Sequence, residues 1–166
     1  MLHLPDPVHP FAVHFPVVFL LLAVFCLGLS LLWPHGLLLR FAVLAAVLGA
    51  LGTSWAHNTG MQEARAIRYV AAPVVDAVAS HRASSDLMLS ASWLVAAAAV
   101  AAFFLRRIPV FSLASRLGAV ALSLFLLWTM QASLHTGSEL THTHLFGPNA
   151  PKPAPGTEDV VRLPID

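Results

Sequence analysis

Charge is scarce in this sequence: 10% of its 166 residues are Asp, Glu, Lys or Arg, less than half of the roughly 25% found in ordinary soluble domains. So few charges cannot cover a water-exposed surface. Nine basic and eight acidic residues leave a formal +1, which excludes the basic face that nucleic acid requires. Cysteine is nearly absent. Cys26 stands alone, so a disulfide framework, a cysteine metal site and the C-x-x-C-H attachment of a c-type haem are all excluded. There is no serine elbow, phosphate-binding glycine loop or zinc-hydrolase spacing. No carboxylate falls at the centre of a hydrophobic run, where an ion-coupled transporter would carry one.

What is abundant is apolar sequence: 58% of the residues are hydrophobic and the mean hydropathy is +0.78. Four stretches of about 20 residues are long enough to cross a hydrocarbon core about 30 Å thick. They run from about Phe11 to Trp33, Leu38 to Ala56, Ser84 to Leu105 and Pro109 to Ser133. The first is preceded by "MLHLPDPVHP", without Lys or Arg, and its apolar run exceeds the usual length of about 7 to 15 residues in a signal peptide. It therefore reads as a retained helix. The expected fold is all-α, an integral membrane four-helix bundle. Residues 1–147 form the four-span domain, with an interfacial helix near 60–79 from the spacing of Met61, Ala64, Ile67 and Ala71. Residues 148–166 form a proline-rich, irregular tail.

The charges sort by end. Arg40, Arg106, Arg107 and Arg116 lie beside the two short turns, with no acidic residue near them. The other end carries five basic residues and all eight acidic ones. The positive-inside tendency puts the arginine end in the cytoplasm and both termini on the non-cytoplasmic face of a bacterial inner membrane. Eight of the nine histidines fall on or near that second face. His14, His57, His81 and His135 mark the same end of all four helices. An even number of spans brings these four side chains to one level, where they are expected to converge. Small-residue runs in the second and third spans, with Gly49 and Gly52, predict close helix packing.

Three segments carry a family likeness: "HPFAVHFP" (9–16), "SHR" (80–82) and "LHTGSELTHTHLFG" (134–147). They resemble a family of bacterial four-span membrane proteins known as domain of unknown function 2231, over roughly residues 7–147. His14, Phe15 and Pro16 match a VHFP-type opening, His81 and Arg82 a histidine before the third span. Gly137, Leu140 and His144 match an ending of the form G-G-x-L-x-Y-x-H-G. Here Ser138 replaces the second glycine, His142 stands where tyrosine is usual, and the last glycine arrives two residues late at Gly147. Some relatives stand beside or are fused to cytochrome c-like modules, so the resemblance implies a redox setting. Besides the lipid bilayer, its implied partners are cytochromes or other respiratory or photosynthetic membrane subunits.

Three chemical readings follow. The leading expectation is haem b carried in the bundle for electron transfer, with His14 and His81 as axial ligands, His135 or His144 as alternatives, and Arg82 pairing with a propionate. The second is copper or zinc held by three or four of His14, His81, His135, His142 and His144. The third is a non-catalytic accessory subunit of a membrane complex, whose histidines are polar residues of the interface zone.

Overall fold

The computed structural model describes residues 9–66, 69–141 and 160–162. A short α1 (His9–Ala12) leads into α2 (His14–Leu32), and Val13 between them keeps helical dihedrals, φ −68° and ψ −24°. Pro16 explains the interruption: it has no N–H to offer the carbonyl four residues earlier, at Ala12. Three residues then turn the chain into α3 (Gly36–Ala66). Strand β1 (Tyr69–Ala71) separates α3 from α4 (Ala72–Leu105), and Arg106 to Ile108 lead to α5 (Pro109–Glu139), which begins on a proline that needs no N–H partner there.

Four of these helices are long and apolar enough to cross a membrane, and the chain is a multi-pass membrane protein built as a four-helix bundle. At 31 residues, α3 is about 46 Å long, well beyond the hydrocarbon thickness, so its last turns reach headgroup level. Residues 60–66 continue α3 and residues 72–79 open α4. Within the tail, β2 (Val160–Arg162) pairs antiparallel with β1, Tyr69 opposite Arg162 and Ala71 opposite Val160.

The core is rich in small side chains. Ala42, Ala45, Ala46 and Ala50 of α3 and Ala91, Ala96, Ala99 and Ala102 of α4 are buried, while Phe25, Phe104 and Leu124 are turned outward at 62, 71 and 61% exposure. Lipid solvates large apolar groups as well as a core does, so close backbone approach decides which residues go inside. Gly49 shows how close: a Cβ there would stand 2.6 Å from Leu20 Cδ2.

Helices α2 and α3 pack as one hairpin and α4 and α5 as a second, with α3 against α4 and α2 against α5 closing the bundle. The two hairpins repeat one another. Every buried position of α5, namely Arg116, Ala119, Ser123, Leu126, Thr129, Met130 and Ser133, lies 77 residues after a buried position of α3: Leu39, Ala42, Ala46, Gly49, Gly52, Thr53 and Ala56. On the leading helices the displacement is 72 residues: Pro16, Leu20, Ala23, Leu27 and Ser30 answer to Met88, Ser92, Val95, Ala99 and Ala102, all buried. Both hairpins start at the same end, as in parallel repeats of membrane proteins.

Candidate functional site

One layer of polar side chains gathers at the end where α1 begins and α3 and α5 finish. His9 opens α1 and is held to α3 three ways. Its backbone N–H donates to Glu63 Oε1 at 2.7 Å; its Nδ1 lies 2.8 Å from the Ala56 carbonyl oxygen and 3.4 Å from Thr59 Oγ1. A carbonyl can only accept, so Nδ1 is the donor in that contact. The ring rests on Gly60, where a Cβ would meet His9 Cε1 at 2.9 Å.

His81 repeats this arrangement in the second hairpin. Its Nδ1 lies 3.2 Å from Thr136 Oγ1, and the ring rests on Gly137, where a Cβ would meet His81 Cε1 at 2.9 Å. Thr136 is also 2.8 Å from Ser84 Oγ, and Ser85 and Ser133 are 3.1 Å apart. His9, Ala56, Thr59 and Gly60 therefore correspond to His81, Ser133, Thr136 and Gly137. The two rings meet edge to face with centroids 6.3 Å apart, joining the hairpins across the middle of the layer.

A second link between hairpins lies alongside. His57 Nε2 is 3.6 Å from Asp86 Oδ1, and Trp93 donates its indole N–H to Ser54 Oγ at 3.1 Å. Both join α3 to α4. Among the described residues no buried side-chain nitrogen or oxygen lacks a hydrogen-bond partner, as a protein interior facing lipid demands.

The expected convergence of His14, His57, His81 and His135 is not what the chain adopts. His81 sits half-buried in the layer and His57 is half-buried at its side, while His14, His135 and Arg82 are exposed. His142 and His144 lie outside the described residues. Depth along a helix follows from sequence position, but direction follows from about 100° per residue. Five residues after His9, His14 is turned about 140° away from it, and two residues before Gly137, His135 is turned about 200° away from that glycine. Gln131 and Trp128, which share a helix face with His135 by their spacing of four and three, are exposed as well.

The cofactor readings fall with that convergence. Among the described residues no group of three or more His, Cys, Asp or Glu side chains could hold a metal ion. This corrects the expectation of haem b electron transfer, and equally that of copper or zinc. The layer holds two imidazoles, each already tied through Nδ1 to the neighbouring helix, in place of a ligand set.

His9, Thr59, Thr136 and Glu63 are not among the site residues that the sequence leads one to expect. A signal for His9, Thr59 and Thr136 exists in the sequence: the dipeptide Thr-Gly recurs at 59–60 and 136–137, each time 50 residues or more after the histidine that packs on it. The chain matches the family described as "Predicted membrane protein (DUF2231)" over residues 5–149, which is the likeness first carried by residues 9–16, 80–82 and 134–147. No curated protein and no solved structure matches it.

Proposed function

The chain belongs to the DUF2231 family of predicted membrane proteins, and from that premise we propose that it is a non-catalytic accessory subunit of a membrane complex. One observation carries the reading: the groups best suited to chemistry, the imidazoles of His9 and His81, are engaged in helix pairing. Each docks on a glycine and binds the adjoining helix through Nδ1. Such a layer sets the relative position of four helices, which suits a part that offers shaped outer faces to lipid and to neighbouring subunits.

The setting we infer is the cytoplasmic membrane of a bacterium, with the arginine end inside and both termini outside, following the positive-inside tendency. The partner we infer is a respiratory or photosynthetic membrane complex, the class suggested by the resemblance to proteins beside cytochrome modules.

Native membranes dissolved in mild detergent test the role. The tagged chain is expected to migrate stoichiometrically with a defined membrane complex whose amount falls when the chain is deleted. A chain that migrates alone, or that turns over a substrate by itself, overturns the reading. Orientation has its own check in a membrane-impermeant thiol reagent: Ser138→Cys should react in intact cells and His35→Cys only after lysis. The opposite pattern would reverse the topology.

A further inference from the structure

Arg40, Val43, Leu44 and Val47 lie along one face of α3, and with Phe103 of α4 they line an open, apolar groove of about 340 Å³. Arg106 stands at the same end. Its guanidinium carbon is 3.7 Å from the centre of the Phe103 ring, and its Nε is 3.7 Å from the place a Cβ on Gly36, the first residue of α3, would occupy. Two cations thus flank the polar end of an apolar trough. No carboxylate answers them: residues 7–62 and 87–138 contain no Asp or Glu, and Asp86, 3.6 Å from His57, belongs to the histidine layer.

The internal repeat supplies a comparison within the same molecule. The positions equivalent to Arg40, Val43, Leu44 and Val47 on α5 are Leu117, Val120, Ala121 and Leu124, and the position equivalent to Phe103 is Leu31. That face is apolar too, but it carries no cation. The arginine of α5 is Arg116, one residue earlier, and it turns inward, donating from Nη1 to the Ser30 carbonyl at 2.7 Å and from Nε to the Ser112 carbonyl at 2.9 Å. One residue on a helix is about 100° of rotation, and here it separates an arginine that holds the bundle together from one that faces the membrane. The fold of a hairpin does not require Arg40 in its outward place.

We propose that this groove binds one anionic phospholipid, with an acyl chain along Val43, Leu44, Val47 and Phe103 and the headgroup phosphate between Arg40 and Arg106. The occupant follows from what the site combines: an apolar trough open to the bilayer, ending at headgroup depth in two positive charges without counter-ions. A zwitterionic lipid fits the trough equally well, but its own positive group opposes the arginines, so the preference for net negative charge is the property that identifies the site. Each arginine near the surface is worth about fivefold in the binding of anionic lipid.

Native mass spectrometry of the detergent-purified chain, offered phosphatidylglycerol and phosphatidylcholine in equal amounts, reads this directly. The wild-type chain is expected to retain one phosphatidylglycerol in preference to phosphatidylcholine, and Arg40→Ala and Arg106→Ala should each lower that retention by about fivefold. Val47→Trp, which fills the trough and leaves both arginines in place, should lower it as well, whereas Leu117→Ala on the equivalent face should leave it unchanged. The unfolding temperature of each variant without added lipid separates lost binding from lost folding. Equal retention of the two lipids, or a phosphatidylglycerol preference that survives Arg40→Ala or Val47→Trp in folded protein, overturns the proposal.

Discussion

The ring of His81 lies against Gly137 so closely that a methyl group on that glycine would fall 2.9 Å from its Cε1. Alanine is favoured over glycine within a helix by about 1 kcal/mol, but overpacking of this kind costs about 1–3 kcal/mol, and the ring cannot swing away without breaking its bond to Thr136. Gly137→Ala should therefore lower the unfolding temperature in detergent. His81→Ala removes the obstacle, so in the double variant the glycine substitution should turn neutral or stabilising. A simple sum of the two single effects would mean that ring and glycine are not in contact.

Glycines at other places should respond with opposite signs. Gly49→Ala sets a methyl 2.6 Å from Leu20 Cδ2 and 3.2 Å from the Leu20 backbone nitrogen, and backbone cannot give way as a side-chain tip can. Loss of about 2 kcal/mol or more is expected there. Gly28 and Gly118 have nothing within 4 Å of a Cβ, so alanine at either should stabilise by about 0.5–1 kcal/mol. Thermal unfolding of the three variants side by side measures both signs.

Leucine scanning of the histidines should divide them by direction and not by depth. His14→Leu and His135→Leu, at exposed positions, should shift stability by less than about 0.5 kcal/mol. His9→Leu and His81→Leu remove bonds between helices, worth on average about 0.6 kcal/mol each in membrane proteins, and misfit their glycine seats, so they should cost about 1–2 kcal/mol. Equal effects for all four would return the histidines to a single class.

Arg116 gives the sharpest expected loss. It is buried with 9% exposure and links α5 to the last turn of α2 through the Ser30 carbonyl, while also bonding Ser112 through Nε and Nη2. Hydrogen bonds from a charged donor contribute about 1.5–3 kcal/mol. Arg116→Ala should cost at least that much. Arg116→Lys should recover little, because a single ammonium cannot reproduce the guanidinium fork. Arg40→Ala, outward on α3, should leave unfolding nearly unchanged, and urea or thermal unfolding of all three in one detergent makes the comparison.

Much of this protein was legible in residue order. Hydrophobic run length announced four spans, because a bilayer of fixed thickness admits few alternatives, and two short turns forced antiparallel neighbours. The alanine and glycine runs announced tight helix contacts, and Gly49 against Leu20 is one of them. The depth of the histidines was also legible: His9, His57 and His81 lie in or beside one polar layer, at the end the reading assigned to them. The families of motif at 9–16 and 134–147 marked the chain's kinship.

Direction around each helix was not legible in the same way. In a soluble bundle an apolar stripe tells which side faces the core; here lipid and core are both apolar, so Phe25 faces outward and Ala23 inward although both are hydrophobic. Run length and residue order by themselves determined a four-helix membrane protein with His9, His57 and His81 near one end of the bundle. Only the packed chain decided that His9 joins His81 while His14 and His135 turn away, and that Arg116 turns in where Arg40 turns out. The physical reason is that one residue of register rotates a side chain by about 100°, and only contact between helices selects which rotation is buried.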